Sequence, residues 1–527
     1  MFQTIRCLTM LTCVSFALPS WADAGAKVLT CDALAKLNLP AVQIRRAVVQ
    51  EASDLPPDSH AALTGAQSQA IQIGPHCLVE GEIGGREGVG GHYGIRFQLR
   101  APINWNRRFL FQGGGGMDGF IAPAIGAIPC SGATAAPALA RGYAVISMDG
   151  GHEGRDAAFA VDQQARLDLA YASIGKVTQV GKQLVQALYA AAPERSVFMG
   201  CSNGGREAMI AAQRYPTEFD GIVAGNPGFR LSRAAVAQAW DVRALMAAAP
   251  QENGAPILSR ALTQADLDLV SDAVLKKCDG LDGVDDGLIN AYRQCAFDLE
   301  SLRGRLSDAK LDALKAVFSG PRDSRGNALY SDWPVDAGIN SAGWRAWKLG
   351  TSVTAQSNAR NVVLGSDSLP HLFMTPPQKD FDVASFDFDK AADAVAQMGA
   401  LNDATSTFLS TFAARGGKMV IFHGMSDPVF SANDLMRWYD AAVADTKGDF
   451  ARLFLVPGMT HCGGGPALDD FDPLGVLEAW MASGVPPTQM AAKGKSFPGV
   501  VQPLCAYPME AHYQGGTPTQ IGSYVCR

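Results

Sequence analysis

Two hydrophobic patterns divide the chain. From residue 25 to about 100, apolar and polar positions alternate in short runs: Ala41-Val42-Gln43-Ile44, His76-Cys77-Leu78-Val79-Glu80 and Tyr93 to Leu99. That period predicts half-buried, antiparallel strands. Further on, apolar runs of strand length (Arg108–Phe111, Tyr143–Met148, Ser196–Met199) are separated by helical patterns, a long one from Leu167 to Ala191 and another from Arg206 to Arg214. Strand and helix in alternation predict a parallel sheet covered on both faces. After Ala224-Gly225-Asn226-Pro227 the alternation stops. Residues 228–410 show helical periods over Ala234–Ala248, Thr263–Lys277 and Asp308–Phe318, joined by long polar loops. Parallel-sheet patterning resumes at Lys418–Phe422 and Arg452–Val456. The chain therefore reads as an α/β unit in two parts, 25–227 and 411–527, around an inserted block, 228–410.

The candidate chemistry sits where the apolar runs end. Ser196-Val197-Phe198-Met199 leads into Gly200-Cys201-Ser202-Asn203-Gly204-Gly205, and a helical pattern follows. G-x-S-x-G occurs by chance in a chain with 56 glycines, but strand, tight turn and helix together are the context a nucleophile elbow needs. Ser202 is then the candidate nucleophile, and the Asn203 N–H, at a helix N-terminus, a candidate oxyanion donor. A second donor is expected in the run Gly113-Gly114-Gly115-Gly116 after the strand Arg108–Phe111, at Gly114 or Gly115, where bare backbone can approach a carbonyl. On the α/β-hydrolase fold the triad follows the chain order Ser, acid, His. Two later strand ends supply the missing members: Asp427 in His423-Gly424-Met425-Ser426-Asp427-Pro428, and His461 in Gly458-Met459-Thr460-His461-Cys462. Of the 8 histidines, only His423 and His461 follow a C-terminal strand after the serine, and His423 precedes the acid. The fold class is thus an α/β-hydrolase with the inserted block as a lid over the site.

Composition narrows the setting. With 47% hydrophobic and 18% charged residues and a net charge of −7, the chain has no basic footprint for nucleic acid and no polybasic membrane patch. Residues 1–24 read as a signal peptide: Arg6, an apolar stretch Cys7–Leu18, and a small-residue cleavage pattern ending at Ala24. Export to a periplasm or the medium follows. Of the 11 cysteines, removal of Cys7 and Cys13 leaves an odd set, in a compartment that favours disulfides. Cys278-Asp279-Gly280-Leu281-Asp282-Gly283-Val284-Asp285-Asp286-Gly287-Leu288-Ile289 crowds acids among glycines. Such carboxylates repel unless a hard cation sits among them, and their oxygens suit Ca²⁺, although the spacing is not that of an EF-hand.

Cys201-Ser202, Asp427 and His461-Cys462 together resemble the CS-D-HC motif of the tannase and feruloyl esterase family, and the resemblance runs from Cys31 to Cys526. It implies that Cys201 and Cys462 pair and tether the histidine loop to the elbow. It also implies the pairs Cys31–Cys77, Cys278–Cys295 and Cys505–Cys526, leaving Cys130 single. By the same resemblance the acidic loop is a structural calcium site, with Asp279, Asp282 and Asp286 as carboxylate ligands and Val284 and Leu288 as carbonyl ligands. The implied substrates are esters of aromatic acids: gallate, hydroxycinnamates such as ferulate, or the terephthalate monoester. Trp333, Trp344, Trp347, Phe373 and Phe381 are candidates to stack on the ring, and Arg345 and Arg360 to meet a carboxylate. Acyl transfer to an alcohol, or binding without catalysis, remain the rival readings.

Overall fold

The parallel half of the sheet is apolar on both faces, and the structure shows why. In this computed structural model, which describes residues 28–55 and 71–527, nine strands form one sheet. They are β1 (Val42–Gln50), β2 (His76–Gly88), β3 (Gly91–Pro102), β4 (Arg108–Gln112), β5 (Ala144–Met148), β6 (Arg195–Cys201), β7 (Gly221–Gly225), β8 (Lys418–Gly424) and β9 (Ala451–Val456). Their order is β1-β2-β3-β5-β4-β6-β7-β8-β9. β1, β2, β3 and β5 pair antiparallel; every pairing from β5 to β9 is parallel. The leader expected over residues 1–24 lies outside the described residues.

Side chains of the parallel strands point alternately to two cores. Phe109, Phe111, Phe198, Ile222, Met419, Ile421, Leu453 and Leu455 share one core with α1 (Ser173–Tyr189) and α2 (Asn203–Arg214). Leu110, Val197, Met199, Val223, Val420, Phe422, Phe454 and Val456 share the other, which is closed by a late helix, Pro473–Ser483. The helix expected from Leu167 becomes regular only at Ser173. The turn before it widens to a π-type step over Asp168–Ala172, where Ser173 Oγ donates to the Asp168 carbonyl at 2.7 Å.

β7 and β8 are neighbours in the sheet, yet 192 residues, 226–417, separate them in sequence. None of these residues joins the main sheet. They form helices α3 (Leu231–Ala248), α4 (Gln264–Cys278), α5 (Asp308–Ser319) and α6 (Ala342–Lys348), with shorter turns between. The start of α4 is set locally: Thr263 and Asp266 close a capping box. These helices bury a third core, including Leu245, Leu267, Leu314, Trp333, Trp344 and Trp347, and that core continues into Val429 and Phe430 of the β8 loop.

Disulfides join Cys31–Cys77, Cys201–Cys462, Cys278–Cys295 and Cys505–Cys526. Cys130 is buried and reduced, and its Sγ donates to the Asp469 carbonyl at 2.9 Å. Among the described residues no helix is long and apolar enough to cross a membrane.

Candidate active site

Sheet register brings the site together. Gly225, the last residue of β7, pairs with Cys201 on one side and Phe422 on the other. Ser202 and Asn226 therefore leave the sheet beside each other at the carboxyl ends of the parallel strands, next to His423, which is still paired with Leu455 in β8.

Ser202 stands on a strained turn, with φ 64° and ψ −122°. Its N–H donates to the Gly225 carbonyl (3.0 Å), and its own carbonyl accepts from Gly228 N–H (3.1 Å). The flanking glycines answer to contact. A Cβ at Gly200 would lie 2.6 Å from the Gly204 carbonyl, and one at Gly204 would lie 2.5 Å from the Gly114 carbonyl oxygen. The turn closes only without side chains there.

His461 Nε2 is 2.8 Å from Ser202 Oγ, and its Nδ1 is 2.9 Å from Asp427 Oδ2. With Nδ1–H donating to the carboxylate, Nε2 is left to accept from the serine hydroxyl. The Cys201–Cys462 disulfide links the neighbours of Ser202 and His461 directly. Asp427 is fully enclosed. Its Oδ1 accepts from the amides of Val429 (2.7 Å) and Phe430 (3.2 Å), and its Oδ2 accepts from Asn226 Nδ2 (2.7 Å). Burial alone would raise the Asp427 carboxyl; the charge and hydrogen bond of His461, with help from His423 and Asn226, hold it down at about 2.

Sequence reasoning missed Asn226 and the place of His423. Asn226 was visible only as the end of a strand before a proline; its φ of 35° and its amide on Asp427 are tertiary facts. His423 is buried beside the acid, with Nε2 on the Phe430 carbonyl (3.0 Å) and 3.5 Å from Asp427 Oδ2. Burial lowers its pKa.

The glycine run folds over α2, and there one expectation changes. The Gly114 N–H donates to Glu207 Oε2 at 3.0 Å and so is already engaged. Asn203, the first residue of α2, and Gly115 are the remaining donors of the expected set. Behind them lies a buried polar network that no local pattern announced. Asn203 Nδ2 donates to Asp118 Oδ1 (2.8 Å), and Arg206 Nε donates to Asn203 Oδ1 (2.7 Å). Burial, and then the Glu207 carboxylate beside it, push Asp118 well above the usual carboxylate range, and burial raises Glu207 as well.

Two aromatic rings flank His461 edge-on: Trp347 of α6, 5.3 Å between centroids, and Phe430, at 5.2 Å. The Arg360 guanidinium lies over Trp347, 5.4 Å from its centroid. The other ring and arginine candidates are elsewhere. Trp333 and Trp344, in the third core with Trp347, line a small cavity that also includes Asp427 and do not stack against His461. Phe373 and Phe381 belong to a separate cluster. Arg345 donates to the carbonyls of Leu262 and Ser259.

In the acidic loop, Asp279 accepts the amides of Asp286 and Gly287, Asp282 that of Val284, and Asp286 that of Leu288. Asp286 Oδ2 also takes Gln502 Nε2 (2.6 Å) and the Tyr524 hydroxyl (3.0 Å). Among the described residues, no three acidic, histidine or cysteine side chains converge tightly enough to grip a metal ion in this conformation. The donor chemistry still suits a hard cation. Burial, then repulsion from Asp286 and Asp279, raises Asp282 to about 6, and charge from a bound cation would relieve that.

A model of the tannase and feruloyl esterase family matches residues 79–527. A mono(2-hydroxyethyl) terephthalate hydrolase of Piscinibacter sakaiensis is 39% identical over 511 residues, covering 85% of this chain and 84% of that protein. A probable feruloyl esterase of Arthroderma benhamiae is 26% identical, covering 83% of each chain. The crystal structure of feruloyl esterase B from Aspergillus oryzae superposes with a TM-score of 0.77 at 23% identity, over 94% of this chain and 99% of that one.

Proposed function

The chain belongs to the tannase and feruloyl esterase family and is a carboxylic ester hydrolase, and from that premise we propose that Ser202, His461 and Asp427 cleave esters of aromatic carboxylic acids through an acyl-enzyme. The observation that carries this reading is the unbroken chain from Ser202 Oγ through His461 to Asp427, at 2.8 and 2.9 Å. Ser202 Oγ attacks the ester carbonyl as His461 Nε2 takes its proton. Asp427, ionised and enclosed, stabilises the imidazolium. The amides of Asn203 and Gly115 receive the oxyanion, each such donor contributing about 10²–10³ in rate. His461 then passes its proton to the departing alcohol. Water repeats the sequence on the acyl-enzyme and releases the acid.

We assign the inserted block the role of a lid that selects the acyl group. Trp347 borders His461, and Arg360 lies on its ring. A flat aromatic acyl group bearing a second carboxylate suits that pair, which favours a terephthalate monoester over a neutral hydroxycinnamate. The acidic loop is a structural Ca²⁺ site, held by Asp279, Asp282 and Asp286 with the Val284 and Leu288 carbonyls; the cation would supply charge balance to that loop and no part of the chemistry. The disulfides support export to an oxidising compartment.

The test is product release from methyl gallate, methyl ferulate, chlorogenate and mono(2-hydroxyethyl) terephthalate, by the mature protein and by Ser202→Ala. Cleavage of at least one ester, lost by about 10³-fold or more in the variant, is the expected result. A variant that retains turnover removes the triad, and a wild-type protein that cleaves none removes the aromatic-ester reading.

A further inference from the structure

The inserted block reaches the catalytic loops at one buried carboxylate. Asp336 precedes a short turn, Ala337–Asn340, that leads to α6. Its Oδ2 accepts two hydrogen bonds from the hydrolase half: one from Ser426 Oγ at 2.6 Å, one from the Gly458 N–H at 2.7 Å. Ser426 is the residue before Asp427, and Gly458 lies in the loop that carries His461. An acceptor so enclosed is held by its donors and holds them in turn.

Packing at the same seam is close around Gly338 and Gly343. A Cβ at Gly338 would lie 2.3 Å from the Gly458 carbonyl oxygen and 2.5 Å from Ser426 Oγ, and one at Gly343 would lie 2.6 Å from Thr460 Oγ1. Ser426 N–H donates to the Met459 carbonyl (3.0 Å), so the two catalytic loops also touch each other. A cavity of about 10 Å³ at the seam is lined by Asp336, Ser426 and Asp427 and by Trp333 and Lys348 of the inserted block.

We propose that Asp336 is a positioning residue for ester hydrolysis: by bridging Ser426 and Gly458 it locks the acid loop to the histidine loop and holds Asp427 in register with His461. The inference rests on the triad reading above. The bridge explains how an insertion between β7 and β8 governs more than access. A displacement of about 1 Å at the acid or the histidine costs on the order of 10²-fold in rate, and Asp336 spans the two loops where such a displacement would arise.

The experiment compares wild type, Asp336→Ala, Asp336→Asn and Ser426→Ala in the mature, disulfide-bonded protein, with p-nitrophenyl acetate as substrate and a fluorophosphonate to count reactive serines. Asp336→Ala is expected to lower kcat per titrated serine by about tenfold or more with KM within about twofold. Asp336→Asn keeps an oxygen for both donors and should return to within about threefold of wild type. Ser426→Ala, which removes one arm of the bridge, should fall between them. If Asp336→Ala does not fold, Ser426→Ala and Gly338→Ala decide by the same criterion. Turnover per titrated serine that stays at wild type in Asp336→Ala and Ser426→Ala overturns the proposal, as does a loss carried by KM alone. A wild-type protein whose Ser202 takes up no fluorophosphonate overturns the triad reading itself, a separate failure.

Discussion

At the scale of single residues, Asp427 carries the most constraint. It is enclosed, yet its carboxyl is held at about 2 because His461, His423 and Asn226 favour the charged form over the cost of burial. Asp427→Asn keeps an oxygen for the Val429 and Phe430 amides but loses the charge that stabilises the imidazolium. We expect kcat to fall by about 10²–10⁴-fold with little change in the folded structure, read from steady-state kinetics beside circular dichroism. The pH dependence of stability follows the same group. A folded carboxyl at about 2 against an ordinary 3.8 contributes stability that is complete above about pH 4 and is lost as pH falls through 2, on the order of 2 kcal/mol. Wild type should therefore lose Tm more steeply than Asp427→Asn between pH 4 and pH 2, in thermal melts across that range. Equal slopes would mean that the charge on Asp427 is not what the fold stabilises.

At the scale of elements, the acidic loop Asp279–Asn290 separates what a pattern can show from what only packing shows. Its carboxylates crowd in sequence, and in space burial and mutual repulsion raise Asp282 to about 6. A cation that binds only the folded loop stabilises by RT ln(1 + [L]/Kd), about 2.7 kcal/mol at a hundred times Kd. Removal of Ca²⁺ by a chelator should lower Tm by several degrees, and added Ca²⁺ should restore it. Asp282→Asn should flatten the response, while kcat at temperatures below the transition stays unchanged. A Tm that ignores both chelator and Ca²⁺ would remove the site. The strands, the elbow, Asp427 and His461 were legible because each rests on local rules: apolar runs of strand length, a glycine turn, the order of the strand ends. The Asp118–Glu207 pair and Asn226 were not. Asp118 meets Asn203 across 85 residues and Asn226 meets Asp427 across 201, and no periodicity encodes such a meeting. The Gly114 amide shows the limit of such rules: the glycine run reads as an oxyanion loop, but the partner of each amide depends on where Glu207 sits one layer behind.

At the scale of the whole molecule, the Ser202–His461–Asp427 chain and the Trp347–Arg360 pair beside it come from different stretches of chain. The parallel sheet places Ser202, Asp427 and His461 at one edge, whereas Trp347 and Arg360 come from the helices inserted between β7 and β8. Sequence patterning marked that block as an interruption but could not say which of its aromatic or basic residues reach the site, because helices packed on one another hide their inward faces behind a shared period. Trp333 and Trp344 lie in the same core as Trp347, and only Trp347 has its ring against His461. This division makes the two groups separable by mutation. Arg360→Gln leaves the triad untouched and removes a cation that desolvation has already made costly to bury. For mono(2-hydroxyethyl) terephthalate, whose acyl group carries a free carboxylate, kcat/KM should fall by about 10–100-fold, mostly through KM. For methyl ferulate, which has no such carboxylate, kcat/KM should stay within about threefold of wild type, since its ester meets the same serine, histidine and oxyanion donors. A parallel loss on both esters would place Arg360 in support of Trp347 and His461 rather than in recognition. No loss on either would move the carboxylate partner to another residue of the inserted block and leave the triad as it stands.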